Sequence, residues 1–220
     1  LAKNELSERW AVIIAFIYLV YPALGYVNLF EFHPTVFATF FLTFMFYYLK
    51  RNDFFKFLLC ALLSLACQEN ISLAVFMMGI YALIMRKRPL WKWAGLPILI
   101  AAAYFWLAVK IVMPHFNQDT VQFYHLYSHL GKSLGKFLNS IINRPLEIIQ
   151  FIFLKEKIVY LLELFGPLFF VSFFSPSVLS LALPFFLQHL LSLRIQEVSI
   201  YTHYAAEIIP FVFLSFILVC

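Results

Sequence analysis

An all-α bundle of membrane-spanning helices is the fold that this sequence predicts, and three observations carry that expectation. Of its 220 residues, 64% are hydrophobic and only 12% are charged, whereas soluble domains are roughly a quarter charged. Mean hydropathy is +0.88. The apolar residues fall into long runs, several of about 20 residues, the length that crosses a hydrocarbon core of ~30 Å. The composition excludes a soluble globular enzyme, a disordered chain and a nucleic-acid module, in spite of the formal charge of +5. Phe alone contributes 28 residues, which suits a lipid-facing surface. Because the chain opens at Leu1 and ends at Cys220 within an apolar run, it is expected to be a segment of a longer polytopic protein.

The runs are taken in order. Residues 10–30 form the first span, flanked by Lys3 and Arg9. Residues 34–49 form the second, with Pro34 suited to a first helical position. The stretch 54–85 would be about 48 Å long as one helix, and Gln68-Glu69-Asn70 interrupts its middle. Lys50, Arg51 and Lys56 precede it, and Arg86, Lys87, Arg88 and Lys92 follow. Short basic loops mark the cytoplasmic side, so the stretch must go out and return as a hairpin of two short helices. Each arm reaches only ~21 Å, which leaves the Gln68-Glu69-Asn70 turn recessed below the outer surface. Non-helical backbone at that depth has to be buried in protein or line a wet cavity.

A fifth span covers 93–114, followed by an outer insert at 115–157. In the insert, Leu126, Leu130, Leu134, Phe137, Leu138, Ile141 and Ile142 recur at helical spacing. They lie opposite His125, His129, Lys132, Lys136 and Asn143, the pattern of an amphipathic helix on a membrane surface. Arg144-Pro145 ends that helix and starts a second short one. The insert reads as a lid on the bundle, as a substrate contact, or as both. Residues 158–175, 178–193 and 204–220 complete about eight segments in one integral membrane domain, 1–220. Ser175-Pro176-Ser177 is a cytoplasmic turn, and Trp10, Trp91 and Trp93 sit where an aromatic belt would.

This topology gathers the polar residues on the outer side. Glu31 and His33 lie in the first outer loop, either as functional groups or as interfacial residues ahead of a Pro-started helix. Glu69 sits at the recessed turn, where a carboxylate is costly and usually faces a cavity or a partner; the alternative is a cap on the next helix by Glu69 or Asn70. Glu163 and Glu207 lie about one turn inside outer helix ends, where they could pair with Lys110 or Arg194 or simply reach toward the interface. Arg194 is the sole basic residue of its loop, and its planar fork suits a phosphate, unless it merely reaches to the interface. His203-Tyr204 opens the last segment and could bring an imidazole beside the Glu31 loop. His125 and His129 have the i, i+4 spacing that can grip a metal, although no carboxylate completes a set. His189 and Gln188 read as structural hydrogen-bonders inside a span.

The order of these motifs resembles a bacterial and archaeal family of predicted membrane proteins of unknown function, marked by D-F-H-P and K-E-D motifs. Glu31-Phe32-His33-Pro34 matches the first with Glu for Asp, and Gln68-Glu69-Asn70 keeps the central acid of the second. Gly79, Lys110, Pro114, Pro184, Leu191-Ser192, His203-Tyr204 and Pro210 extend the match over most of the chain. That family is similar in topology to GT-C membrane glycosyltransferases. The resemblance implies a multi-pass protein of the bacterial or archaeal plasma membrane, with its working face outside and an acidic outer loop in an upstream part beyond Leu1.

Three functions follow as expectations. The first is transfer of a sugar from a polyprenyl phosphate, with Glu31 or Glu69 as base. His33 belongs to that catalytic group. Arg194, His203, Tyr204 and Lys110 would bind substrate, and a divalent metal could assist at the lipid phosphate. The second is a transporter or lipid-handling protein without chemistry, since broken helices and intramembrane acids suit both. The third is a structural subunit whose acids lock helices together. Membrane lipids are the expected surroundings, and nucleic acid is excluded as a partner.

Overall fold

The computed structural model describes residues 1–116, 122–131 and 134–220. The described residues are helical and contain no strand. A short α1 (Ala2–Glu5) leads into α2 (Glu8–Leu19) and α3 (Pro22–Leu29), which meet at an angle of 48°. Pro22 causes the break. It lacks the N–H that a continuing helix would need, yet fits the first position of a new one. Next come α4 (Thr35–Arg51), α5 (Phe54–Leu65) and α6 (Ile71–Ile84). Asn52 ends α4 in the left-handed region, with φ at 57°, and Asp53 caps α5 by accepting from the Lys56 amide at 3.2 Å.

The long α7 (Trp91–Phe116) contains two wider π turns, Trp91–Gly95 and Ala108–Val112. Then follow α8 (Leu134–Asn143), α9 (Pro145–Ile152), α10 (Lys155–Phe165), α11 (Pro176–Leu179), α12 (Leu183–Leu191) and α13 (Ile209–Val219).

Among these, α7 is the helix long and apolar enough to cross a membrane. The bent pair α2–α3 qualifies only if taken as one span. The expectation of about eight membrane segments is therefore corrected. The apolar runs are present, but the backbone breaks them. The segment 158–175 ends its helix at Phe165, and Phe169 and Phe170 adopt positive φ. Only 17% of the most apolar window of α7 is buried inside the protein. A core helix of a soluble domain would be mostly covered, so this face is available to lipid.

The hairpin of α5 and α6 forms as expected, turning through Gln68-Glu69-Asn70. It packs on α4 and α7, and Gly79 permits the closest approach. A Cβ there would lie 2.7 Å from the Ile98 side chain and 3.0 Å from the Ala94 carbonyl. At the centre stands α13, buried along Ile209–Phe216, with Phe213 edge-on to Tyr18 and Tyr21.

Two ends result. Lys50, Arg51, Lys56, Lys87 and Lys92 gather at one, where Lys50 pairs with Glu5 at 3.5 Å and Lys87 donates to Asn52 at 2.7 Å. The Gln68–Asn70 turn and the start of α13 lie at the other. Trp93 does not belong to an interfacial belt. It is 4% exposed and packs on Phe54 and Phe57, whereas Trp10 and Trp91 are exposed.

The outer insert is also corrected. No single helix runs from 126 to 143: a 3-10 segment, Gln122–Leu130, kinks at Tyr127, and Gly131 turns the chain with φ at +129°. A residue with a Cβ would be strained there. Arg144 does separate α8 from α9. Lys132 lies outside the described residues.

Candidate functional site

The end opposite the basic loops holds a cavity of about 470 Å³. Leu73, Phe105, Val109, Met113 and Leu187 supply apolar wall, and Gln68, Glu69, Asn70, Tyr127, Gln188, Arg194, Glu197 and Tyr204 supply its polarity. The α5–α6 turn positions the first three. Ser72 donates to the Glu69 carbonyl at 2.6 Å and thereby shapes that turn. Asn70 does not cap α6. Its amide donates instead to Glu207 Oε1 at 2.7 Å, tying the turn to the start of α13. Glu69 is half-buried at the cavity edge.

The facing side comes from the segment after α12. The Arg194 amide donates to the Ser192 hydroxyl oxygen at 3.0 Å. Its guanidinium donates to Tyr204 Oη at 2.6 Å and lies 3.5 Å from Glu197 Oε1, an i, i+3 pair on one short turn. Glu197 is 2% exposed, and its other oxygen, Oε2, is buried without a hydrogen-bond partner. Burial pushes this carboxyl above the usual range, opposed by the Ser192 hydroxyl and the Arg194 charge. The insert covers the cavity: Leu126, Tyr127 and Phe137 line it, Leu126 O accepts the Leu193 amide at 2.9 Å, and Tyr127 donates to the Gln188 carbonyl at 3.3 Å.

Behind the cavity runs a fully enclosed polar row. Tyr160 and His189 Nδ1 are 3.0 Å apart, and His189 Nε2 stands 3.9 Å from Glu207 Oε2. His189 and Glu207 are both 0% exposed. Glu207 thus meets Asn70 and His189, and Glu163 accepts from Tyr201 at 2.9 Å. This corrects the expectation that either acid pairs with Lys110 or Arg194, because Arg194 already has Glu197 three residues away.

Of the residues singled out by sequence, Glu69, Arg194 and Tyr204 share the cavity. His33 and His203 form a separate pair of stacked rings, next to Tyr204 through a contact of 4.2 Å between the His203 and Tyr204 rings. Glu31 is exposed, outside the cavity lining, and so is Lys110, although its neighbour Val109 contributes to the wall. Glu197 and the His189–Glu207 pair were not anticipated. The only signal for Glu197 is an acid three residues after a lone arginine. Among the described residues no group of three or more His, Cys, Asp or Glu side chains could hold a metal. His125 and His129 sit on a kinked 3-10 segment, where i, i+4 spacing no longer aligns two rings.

One comparison bears on this arrangement. The profile of a family described as "Predicted membrane protein (DUF2079)" matches residues 1–220. The chain belongs to this family. No curated protein and no solved structure matches it. Membership in DUF2079 agrees with the outward apolar face of α7 and says nothing of chemistry, so the function of this DUF2079 chain has to be argued from the cavity.

Proposed function

We propose that the chain is part of a membrane glycosyltransferase that takes a polyprenyl-phosphate-linked sugar at its extracytoplasmic face. One observation carries this reading: Glu69 and Arg194 line a single cavity whose walls are otherwise largely apolar. A base, a phosphate-binding fork and a surface for an isoprenoid chain are what such a donor requires.

In this scheme Arg194, oriented by Tyr204 and Glu197, receives the donor phosphate. Glu69 takes the proton of an acceptor hydroxyl as its oxygen bonds to the sugar anomeric carbon, and the bond from that carbon to phosphate breaks. Negative charge gathers on the leaving phosphate, where a guanidinium in a poorly hydrated site is most effective. Leu73, Phe105 and Leu187 would hold the first isoprene units, and the insert covers them. The side assignment rests on the basic loops at the other end, which belong in the cytoplasm. Glu31 and Lys110, outside the cavity lining, have secondary parts or none.

The test is transfer of labelled sugar from a polyprenyl phosphate by purified full-length protein in detergent. Glu69→Gln should lower turnover by 10²-fold or more, the scale of a lost general base, and Glu31→Gln should retain most of it. Full transfer by Glu69→Gln would remove the base from the scheme. Substrate uptake into proteoliposomes without transfer would favour the transporter.

A further inference from the structure

Among the described residues Arg194 is the only cationic side chain lining the cavity, yet it faces it already compensated. Its partner Glu197 is half-satisfied: Oε1 lies 3.5 Å from Nη1, a loose contact, and Oε2 is buried with no partner. A buried carboxylate held by one long ion pair and the Ser192 hydroxyl, with one oxygen unpartnered, recovers only part of its lost hydration, so Glu197 is a weak holder of its charge. An incoming phosphate offers the guanidinium two oxygens in the fork geometry that Glu197 does not use.

We propose that Glu197 is a built-in competitor for the anion that Arg194 receives: the anion displaces its carboxylate, which then takes up one proton and stays in the cavity wall as the neutral acid. The proposal rests on the assignment of Arg194 to the donor phosphate and adds its regulation. The proton comes from solvent, and no other bond changes. The burial that raises the Glu197 carboxyl acts in the same direction.

The groups around Glu197 are consistent with a neutral acid there. Tyr127 of the insert and Tyr160 of α10 are unionised phenols at neutral pH. The Ser192 hydroxyl beside Glu197 can donate to the carboxylate or accept from the neutral acid. His189 of α12 is engaged with Tyr160 and Glu207, and Tyr204 is bound to Arg194. His33 and His203 lie beyond Tyr204. The part of the pH dependence due to Glu197 is the part that Glu197→Gln removes.

The experiment measures binding of farnesyl methyl phosphate to the detergent-solubilised full-length protein from about pH 5 to pH 9. This phosphodiester keeps a single charge throughout. Farnesol and inorganic phosphate serve as separate arms, to distinguish a lipid-borne phosphate from free phosphate. Wild-type affinity should fall as pH rises, by up to about tenfold per pH unit, the limit for one linked proton. Glu197→Gln should bind at least about tenfold tighter than wild type at high pH, with the slope largely gone. A merely structural role would instead make that variant bind more weakly.

Proton uptake is read on the wild type, by calorimetry in two buffers of different ionisation enthalpy, and does not depend on whether a variant folds. About one proton per ligand supports the proposal, and none overturns it. Binding that depends on Arg194 yet keeps its slope in Glu197→Gln overturns the competitor while sparing the phosphate assignment. Binding that is indifferent to Arg194→Gln overturns both.

Discussion

His33 and His203 lie face to face, 3.8 Å between ring centroids and 11° from parallel. They join the loop before α4 to the segment that leads into α13. Thr35 fixes one ring, its hydroxyl 2.8 Å from His33 Nδ1. The other ring has a buried Nδ1 without a partner. Two imidazoles stack well when neutral and repel when both are charged.

The His203 proton affinity reflects this. Burial first, then the charges of His33 and Arg194, bring its pKa down to about 4 from an ordinary 6.5. The folded state therefore binds fewer protons than the unfolded state between those values. The stabilising contribution is complete above about pH 6.5 and is lost as pH falls toward 4. The thermal midpoint of the detergent-solubilised protein should drop over that interval, and less so in His203→Phe, which keeps an aromatic stack without titrating. An identical acid limb in the variant would assign the loss elsewhere.

Glu207 should tolerate Gln and not Ala. An amide oxygen still accepts from Asn70, and the amide nitrogen can donate to His189 Nε2, so Glu207→Gln should stay within about 1 kcal/mol of wild type. Glu207→Ala leaves the Asn70 amide without its partner in an enclosed site and removes the carboxyl beside His189 Nε2, at about 1–3 kcal/mol. Unfolding followed by intrinsic fluorescence would rank the three proteins, and equal stability of Ala and wild type would mean that the polar row contributes nothing.

Gly79→Ala should destabilise, although alanine is the better helix former by up to about 1 kcal/mol. The new methyl group would meet a backbone carbonyl as well as Ile98, so α6 and α7 must separate. Overpacking of that kind costs about 1–3 kcal/mol. A lower thermal midpoint is expected, and a higher one would show that the two helices part freely.

Arg194→Lys keeps the charge and loses the fork. A lysine cannot serve Tyr204, Glu197 and a phosphate together in the planar geometry of the native side chain. Affinity for a lipid phosphodiester should fall by about tenfold, or ~1.4 kcal/mol, with sugar transfer falling alongside. Undiminished binding would show that charge alone suffices.

Much of this arrangement is legible in the residues themselves. The hairpin of α5 and α6 can be read because basic clusters bracket an apolar stretch with three polar residues at its middle. Glu69 stands out as the one acid of an otherwise apolar stretch, and Arg194 as the sole basic residue of its loop. Helix continuity is less legible: hydropathy counts apolar residues, but Pro22 and the left-handed Phe169 and Phe170 decide where a helix stops, and phenylalanine gives no local warning of positive φ. Partners distant in sequence escape altogether. Nothing near Glu207 names Asn70, 137 positions away, and Glu197 looks like a solvated loop acid until the fold closes over it.

The π turn at Ala108–Val112 gives α7 a property that its composition conceals. The Met113 amide bonds back to the Ala108 carbonyl, five residues earlier, so the turn holds one residue more than an α-turn. Beyond it the helix is rotated by about 100° relative to an uninterrupted one. Met113 faces the cavity because of that extra residue, whereas Phe105, before the turn, does so without it. A one-residue deletion in this turn would reshape the cavity while leaving the apolar length of α7 almost unchanged. Gain or loss of a single codon here could therefore retune what the protein accepts, with little effect on its fit to the bilayer.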